Sequence, residues 1–79
     1  MKDNPLSYKI TFDWDDEVAV WIATSKDIHG LVLEHESFDM LVREVLLAVP
    51  TLLELSNEPR KDITLDFITQ RQERLAYSG

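Results

Sequence analysis

Tyr8-Lys9-Ile10-Thr11-Phe12-Asp13-Trp14-Asp15-Asp16-Glu17-Val18-Ala19-Val20-Trp21-Ile22-Ala23-Thr24 is the stretch from which the fold is read. Tyr8, Ile10, Phe12 and Trp14 alternate with Lys9, Thr11 and Asp13, the period of two that marks a strand with one face turned inward. Asp15, Asp16 and Glu17 then put three carboxylates side by side, a composition that turns tolerate and strands avoid. From Val18 to Thr24 nearly every residue is apolar, so this second strand expects cover on both faces. The two halves make a hairpin whose register stays open. A two-residue turn sets Trp21 opposite Ile10, and a three-residue loop sets it opposite Thr11 on the other face.

Beyond the hairpin, Ser25-Lys26-Asp27-Ile28-His29-Gly30 is polar and ends in one of the chain's two glycines, which reads as a loop with a positive φ at Gly30. Leu31 to His35 forms a short third strand. Ser37 is a favoured N-cap, Asp39 lies in the positive first turn, and Phe38, Leu41, Val42, Val45, Val49, Leu52 and Leu53 trace one helical stripe. Pro50 interrupts that stripe, which predicts a kinked helix or a second short helix starting there. Residues 56–62 carry turn chemistry, and Ile63-Thr64-Leu65-Asp66-Phe67 alternates again as a fourth strand. Residues 70–79 are polar and expected to fray. The order β-β-β-α-β predicts one α+β domain over residues 1–79, with an ordered core at about residues 7–69. Its architecture is a small antiparallel meander, one long Pro-kinked helix on one face, and a C-terminal strand beside the sheet.

Composition narrows the function. Seventy-nine residues bury only about 60% of the surface that the unfolded chain exposes, so the core is small. With no cysteine there is neither a disulfide nor a thiolate zinc site to reinforce it. Eight Lys and Arg stand against 15 Asp and Glu, a net charge of −7 that repels phosphate backbones and favours a basic protein partner over nucleic acid. A hydrophobic content of 44% is too high for an acidic disordered tail. No apolar run approaches the ~20 residues of a membrane span. Met1-Lys2-Asp3-Asn4-Pro5 lacks the apolar core of a signal peptide. These features predict a cytoplasmic protein with no membrane contact.

Val20-Trp21-x-Ala23-x-Ser25-x-Asp27-Ile28-x-Gly30-Leu31, followed by Glu34 and Ser37-Phe38-Asp39-x-Leu41, resembles the HicB-type antitoxin domain. Within that family it is most similar to a short stand-alone branch of unassigned function. The similarity runs from about Tyr8 to Leu55. It implies a partly degraded ribonuclease-H-like fold and a role in binding a HicA-type toxin, a small basic ribonuclease whose active site the antitoxin hides. Longer relatives add a DNA-binding domain, for which residues 70–79 leave no room, so none is expected. The family's usual Asp-Leu-Pro-Gly run is Asp27-Ile28-His29-Gly30 here, and its usual small residue in the next strand is His35. Ser37 replaces the common Thr N-cap, and Met40 replaces the second of two acids.

The candidate functional residues are few. Asp13, Asp15, Asp16 and Glu17 invite a two-metal nuclease reading, but such a site gathers acids from separate elements, whereas these are near-consecutive at a hairpin tip. They read as a solvated turn or a partner-binding edge. His29 and His35 lack the further donors of a metal site or catalytic pair and read as surface residues. No catalytic residue, metal ligand or cofactor is expected. Trp14 and Trp21 read as core, with Trp21 the candidate for a partner or self-association surface. The expected function is a HicB-like interaction domain that forms a homodimer and binds a basic HicA-type toxin through Asp13, Asp15, Asp16, Glu17 and Trp21. The alternatives are an orphan homodimeric binding module of unrelated role and a residual metal-dependent nuclease.

Overall fold

The structure is a computed structural model that describes residues 7–57 and 62–78. Four strands and one helix follow in the order β1 (Ser7–Asp15), β2 (Val20–Thr24), β3 (Val32–His35), α1 (Phe38–Leu55) and β4 (Thr64–Gln70). The sheet order is β3-β2-β1-β4; β1 to β3 form the antiparallel meander, and β4 joins β1 in parallel. This is the expected β-β-β-α-β arrangement in a mixed sheet. Of the turn read over residues 56–62, residues 58–61 lie outside the described residues, as do 1–6 and 79.

The alternation in β1 does what its period implies. Tyr8, Ile10 and Phe12 are buried, while Ser7 and Lys9 are exposed. The buried face receives α1, whose Leu41, Val45 and Val49 join Ile10, Phe12, Ala23, Ile28 and Leu31 in one cluster. Ser37 caps the helix, its Oγ accepting from the Met40 N–H at 3.2 Å. At the other end Asn57 adopts a φ of 58°, and its N–H donates to the Glu54 carbonyl at 3.0 Å. A single helix passes through Pro50, so no second helix starts there; Pro50 is exposed and leaves the Leu46 carbonyl without its i+4 donor.

Neither expected hairpin register is adopted. Trp21 lies opposite Trp14, with Phe12 opposite Ala23, because a four-residue loop, Asp16 to Ala19, joins β1 at Asp15 to β2 at Val20. The Asp15 carboxylate accepts from the Glu17 N–H at 3.0 Å, which folds the loop back on its own first residues. Ala19 closes it at a φ of 56°, in the left-handed region. The second strand therefore begins at Val20, not Val18. The fourth strand is also longer than its alternation suggested, running on through Ile68, Thr69 and Gln70.

Val45 has 0% exposure at the centre of the helical stripe. Val45→Asp places an unpaired carboxylate there at a cost of several kcal/mol, comparable to the whole stability of a small domain. Thermal denaturation followed by circular dichroism is expected to show the folded baseline lost; a variant melting within a few degrees of the parent excludes this packing.

Candidate functional site

The register divides the expected site between two faces. Asp13 and Asp15 point away from α1, together with Val20, Ile22 and Thr24 of β2 and Glu34 of β3. Across the sheet at this level the row reads Glu34, Ile22, Asp13, Gln70, and the Gln70 amide donates to Asp13 Oδ1 at 3.0 Å. Asp16 and Glu17 continue the acidic patch into the exposed loop. Among the described residues the one ion pair is Arg71 with Glu73, so none of these acids has a cationic partner there. Val20 and Ile22 are half-buried, and α1 lies on the opposite face, so one side of the apolar second strand stays open.

Trp21 is on the other side. It stacks against Trp14 (ring centroids 5.3 Å apart) and Phe38 (5.1 Å), and Phe12 continues the chain of rings to Phe38 (5.1 Å) and Phe67 (5.0 Å). The Arg71 guanidinium covers the end of this row, 4.4 Å from the Trp14 ring centre and 5.8 Å from that of Trp21. Trp14 Nε1 donates to Asp16 Oδ1 at 3.3 Å. Trp21 thus belongs to an aromatic seam between sheet and helix, and the acids belong to the open face and the loop.

The acids do not converge on a common point. Asp13 turns to Gln70, Asp15 to its own loop and Asp16 to Trp14, and no group of three or more His, Asp or Glu among the described residues is placed to hold a metal ion. The histidines also separate. His29 is exposed, whereas His35 is half-buried and its Nδ1 accepts from the Ser37 N–H at 2.9 Å, ordering the entry to α1.

The loop after β2 has a structural role that the sequence reading missed. Lys9 lies beyond the last β1–β2 pair, and its backbone is satisfied by side chains. Its N–H donates to Asp27 Oδ2 at 2.8 Å, and its carbonyl accepts from Ser25 Oγ at 2.7 Å. Ser25 Oγ also accepts from the Asp27 and Ile28 N–H groups at 3.0 and 3.1 Å. Ile28 and Leu31 are buried below, and Gly30 makes the bend at a φ of 87°. Serine two residues before aspartate at a strand end was the signal available for this brace.

The model of the family described as "Domain of unknown function (DUF1902)" matches residues 7–78. Among solved structures, the crystal structure of hypothetical protein TTHA1013 from the extremely thermophilic bacterium Thermus thermophilus is similar. It is 28% identical, superposes with a TM-score of 0.65, and aligns over 90% of this chain and 99% of its own. No curated protein matches the sequence.

The two faces predict opposite responses to substitution. Trp21→Ala removes ring contacts at a half-buried site and should cost about 2 kcal/mol, below the ~3–5 of a fully buried ring, lowering the melting midpoint by roughly 10 °C. Asp15→Asn with Asp16→Asn should leave the midpoint within a few degrees, since exposed loop charges contribute little to a core. Calorimetry on the two proteins checks both.

Proposed function

The chain belongs to the DUF1902 family, and on that premise we propose that it is a HicB-like protein-interaction domain, antitoxin-like and cytoplasmic, that forms a homodimer and binds a small basic HicA-type ribonuclease toxin. The observation that carries the reading is the acidic end of the open sheet face. Asp13, Asp15 and Glu34 flank half-buried Val20 and Ile22, Asp16 and Glu17 extend the patch, and none of these acids forms an ion pair among the described residues. Apolar side chains rimmed by unpaired carboxylates suit a protein surface rich in Lys and Arg. The net charge of −7 extends that attraction beyond contact range. The β-β-β-α-β order agrees with the fold that the resemblance implies.

An orphan homodimeric module of unrelated role is the second reading, and one observation favours it. Ser25, Asp27, Ile28, Gly30, Leu31 and Ser37, which carry much of the resemblance, act as braces, caps and core. Such residues preserve the fold whatever the partner is.

The test is a stopped-flow salt series with a HicA-type toxin. The association rate should fall on the order of ten-fold between low and physiological salt, and Asp15→Asn with Asp16→Asn should slow it further from the parent at low salt. The chain alone should not bind RNA. A rate indifferent to salt, or tight RNA binding by the chain, overturns the electrostatic reading; absence of toxin binding with another basic protein bound instead favours the orphan.

A further inference from the structure

Among the described residues the sheet ends in two unpaired edges, and they differ. The β3 edge is four residues long and lies beside α1. The β4 edge is seven residues long, and β4 packs on β1 alone, because α1 leans on β2 and β3. Thr64-Leu65-Asp66-Phe67-Ile68-Thr69-Gln70 contains neither Lys nor Pro, and of the usual protections of an edge it keeps one exposed carboxylate. Its one carboxylate, Asp66, is drawn onto β1 by the Ser7 hydroxyl, which donates to it at 2.7 Å. Phe67 on the helix side is 39% exposed and Ile68 on the open side is 41% exposed, so each face of the edge shows one large apolar side chain to solvent. Residues 71–78 then leave the sheet without regular structure, carrying Leu75 and Tyr77 at 84% and 85% exposure.

We propose that β4 is a strand-addition surface for a second copy of this chain: two β4 strands pair antiparallel across a two-fold axis centred on Phe67 and join the sheets into one of eight strands. Residues 71–78 of each copy run on along the other, which gives Leu75 and Tyr77 a surface to cover. The sequence of β4 selects its own copy. Centring on Phe67 is the register that pairs all seven residues, setting Phe67 against Phe67, Asp66 against Ile68, Leu65 against Thr69 and Thr64 against Gln70. No two charges meet, and the two phenylalanines share the helix side. Centring on Asp66 sets two carboxylates face to face in a chain already at −7. The antiparallel arrangement also sends the two acidic hairpin ends to opposite ends of the joined sheet, leaving each open. This inference rests on the homodimer in the proposed function and is independent of the toxin.

The chain has no cysteine, so introduced thiols report the contact directly. Cross-strand positions alternate between hydrogen-bonded and non-hydrogen-bonded pairs with Cα separations of about 4.5–5.5 Å, within disulfide reach. On mild oxidation either Phe67→Cys alone, or Asp66→Cys mixed with Ile68→Cys, should therefore cross-link two chains, and Val32→Cys at the β3 edge should not. Light scattering should show a dimer for the full chain, and Ile68→Glu, which sets a second carboxylate against Asp66 of the other copy at an exposed position, should weaken it at least ten-fold while keeping the folded circular dichroism. A dimer that Ile68→Glu leaves intact and that neither thiol test captures overturns the β4 contact while sparing the homodimer. A monomer at high micromolar concentration overturns both.

Discussion

One helix has to cover one face of a four-stranded sheet, and the rest of the molecule is arranged around that contact. Ile10 and Phe12 at the middle of β1 and Leu41, Val45 and Val49 on α1 are buried to within a few per cent, and they form the centre of the single described core. The described residues hold no second helix, so the other face of the sheet must be made tolerable to water by its side chains. Lys9, Thr11, Asp13 and Asp15 on β1 and Thr64, Asp66 and Gln70 on β4 do so. Val20, Ile22, Val32 and Ile68 are the exceptions, apolar residues on the open face. Val20 and Ile22, the half-buried two of these, lie beside the hairpin acids, so part of the apolar open face sits where the charge is densest.

The parts of the fold that were legible are those governed by periodicity. Alternation in β1 and the three-to-four spacing in α1 each record which side of an element meets the core, and both were read correctly because burial is what sets them. Ser37 was legible because an N-cap needs an oxygen at one fixed place. The hairpin was not. Its loop takes the left-handed conformation at Ala19, where glycine or asparagine would have announced it. With that signal missing, a four-residue loop looks like the start of a strand at Val18, and Trp21 moves to the wrong partner. The end of β4 was missed for a related reason: as an edge strand with both faces partly exposed, Phe67 to Gln70 has little burial to imprint an alternation.

Of the expected site residues, the acids were legible as a group and Trp21 was misgrouped with them. Asp13, Asp15, Asp16 and Glu17 do lie together at the hairpin end, because the chain carries them there consecutively. Trp21 is near them in sequence yet on the opposite face, since side chains alternate and the register sets it against Trp14. Glu34 was the reverse case. It is 21 residues from Asp13, counting 34 − 13, and comes to the same row only through the pairing of β2 with both its neighbours. No spacing in the sequence expresses that adjacency.

The loop after β2 shows why a family resemblance and a binding site can occupy different parts of one small protein. Lys9 has a backbone N–H and carbonyl directed at a strand that has already turned away, so their partners on that side have to come from outside the ladder. Ser25 and Asp27 meet that demand with their side-chain oxygens, and Gly30 and buried Ile28 and Leu31 fix the loop that holds them. Substitution at these positions acts on folding first. The hairpin acids are under no such demand: Asp13, Asp15 and Asp16 are each hydrogen-bonded locally or to a single neighbour. Their identities are therefore free to follow a partner, and charge at that end of the sheet can change while the braces stay constant. A shared fold across the family then carries little information about what is bound, because binding is assigned to the surface that stability constrains least.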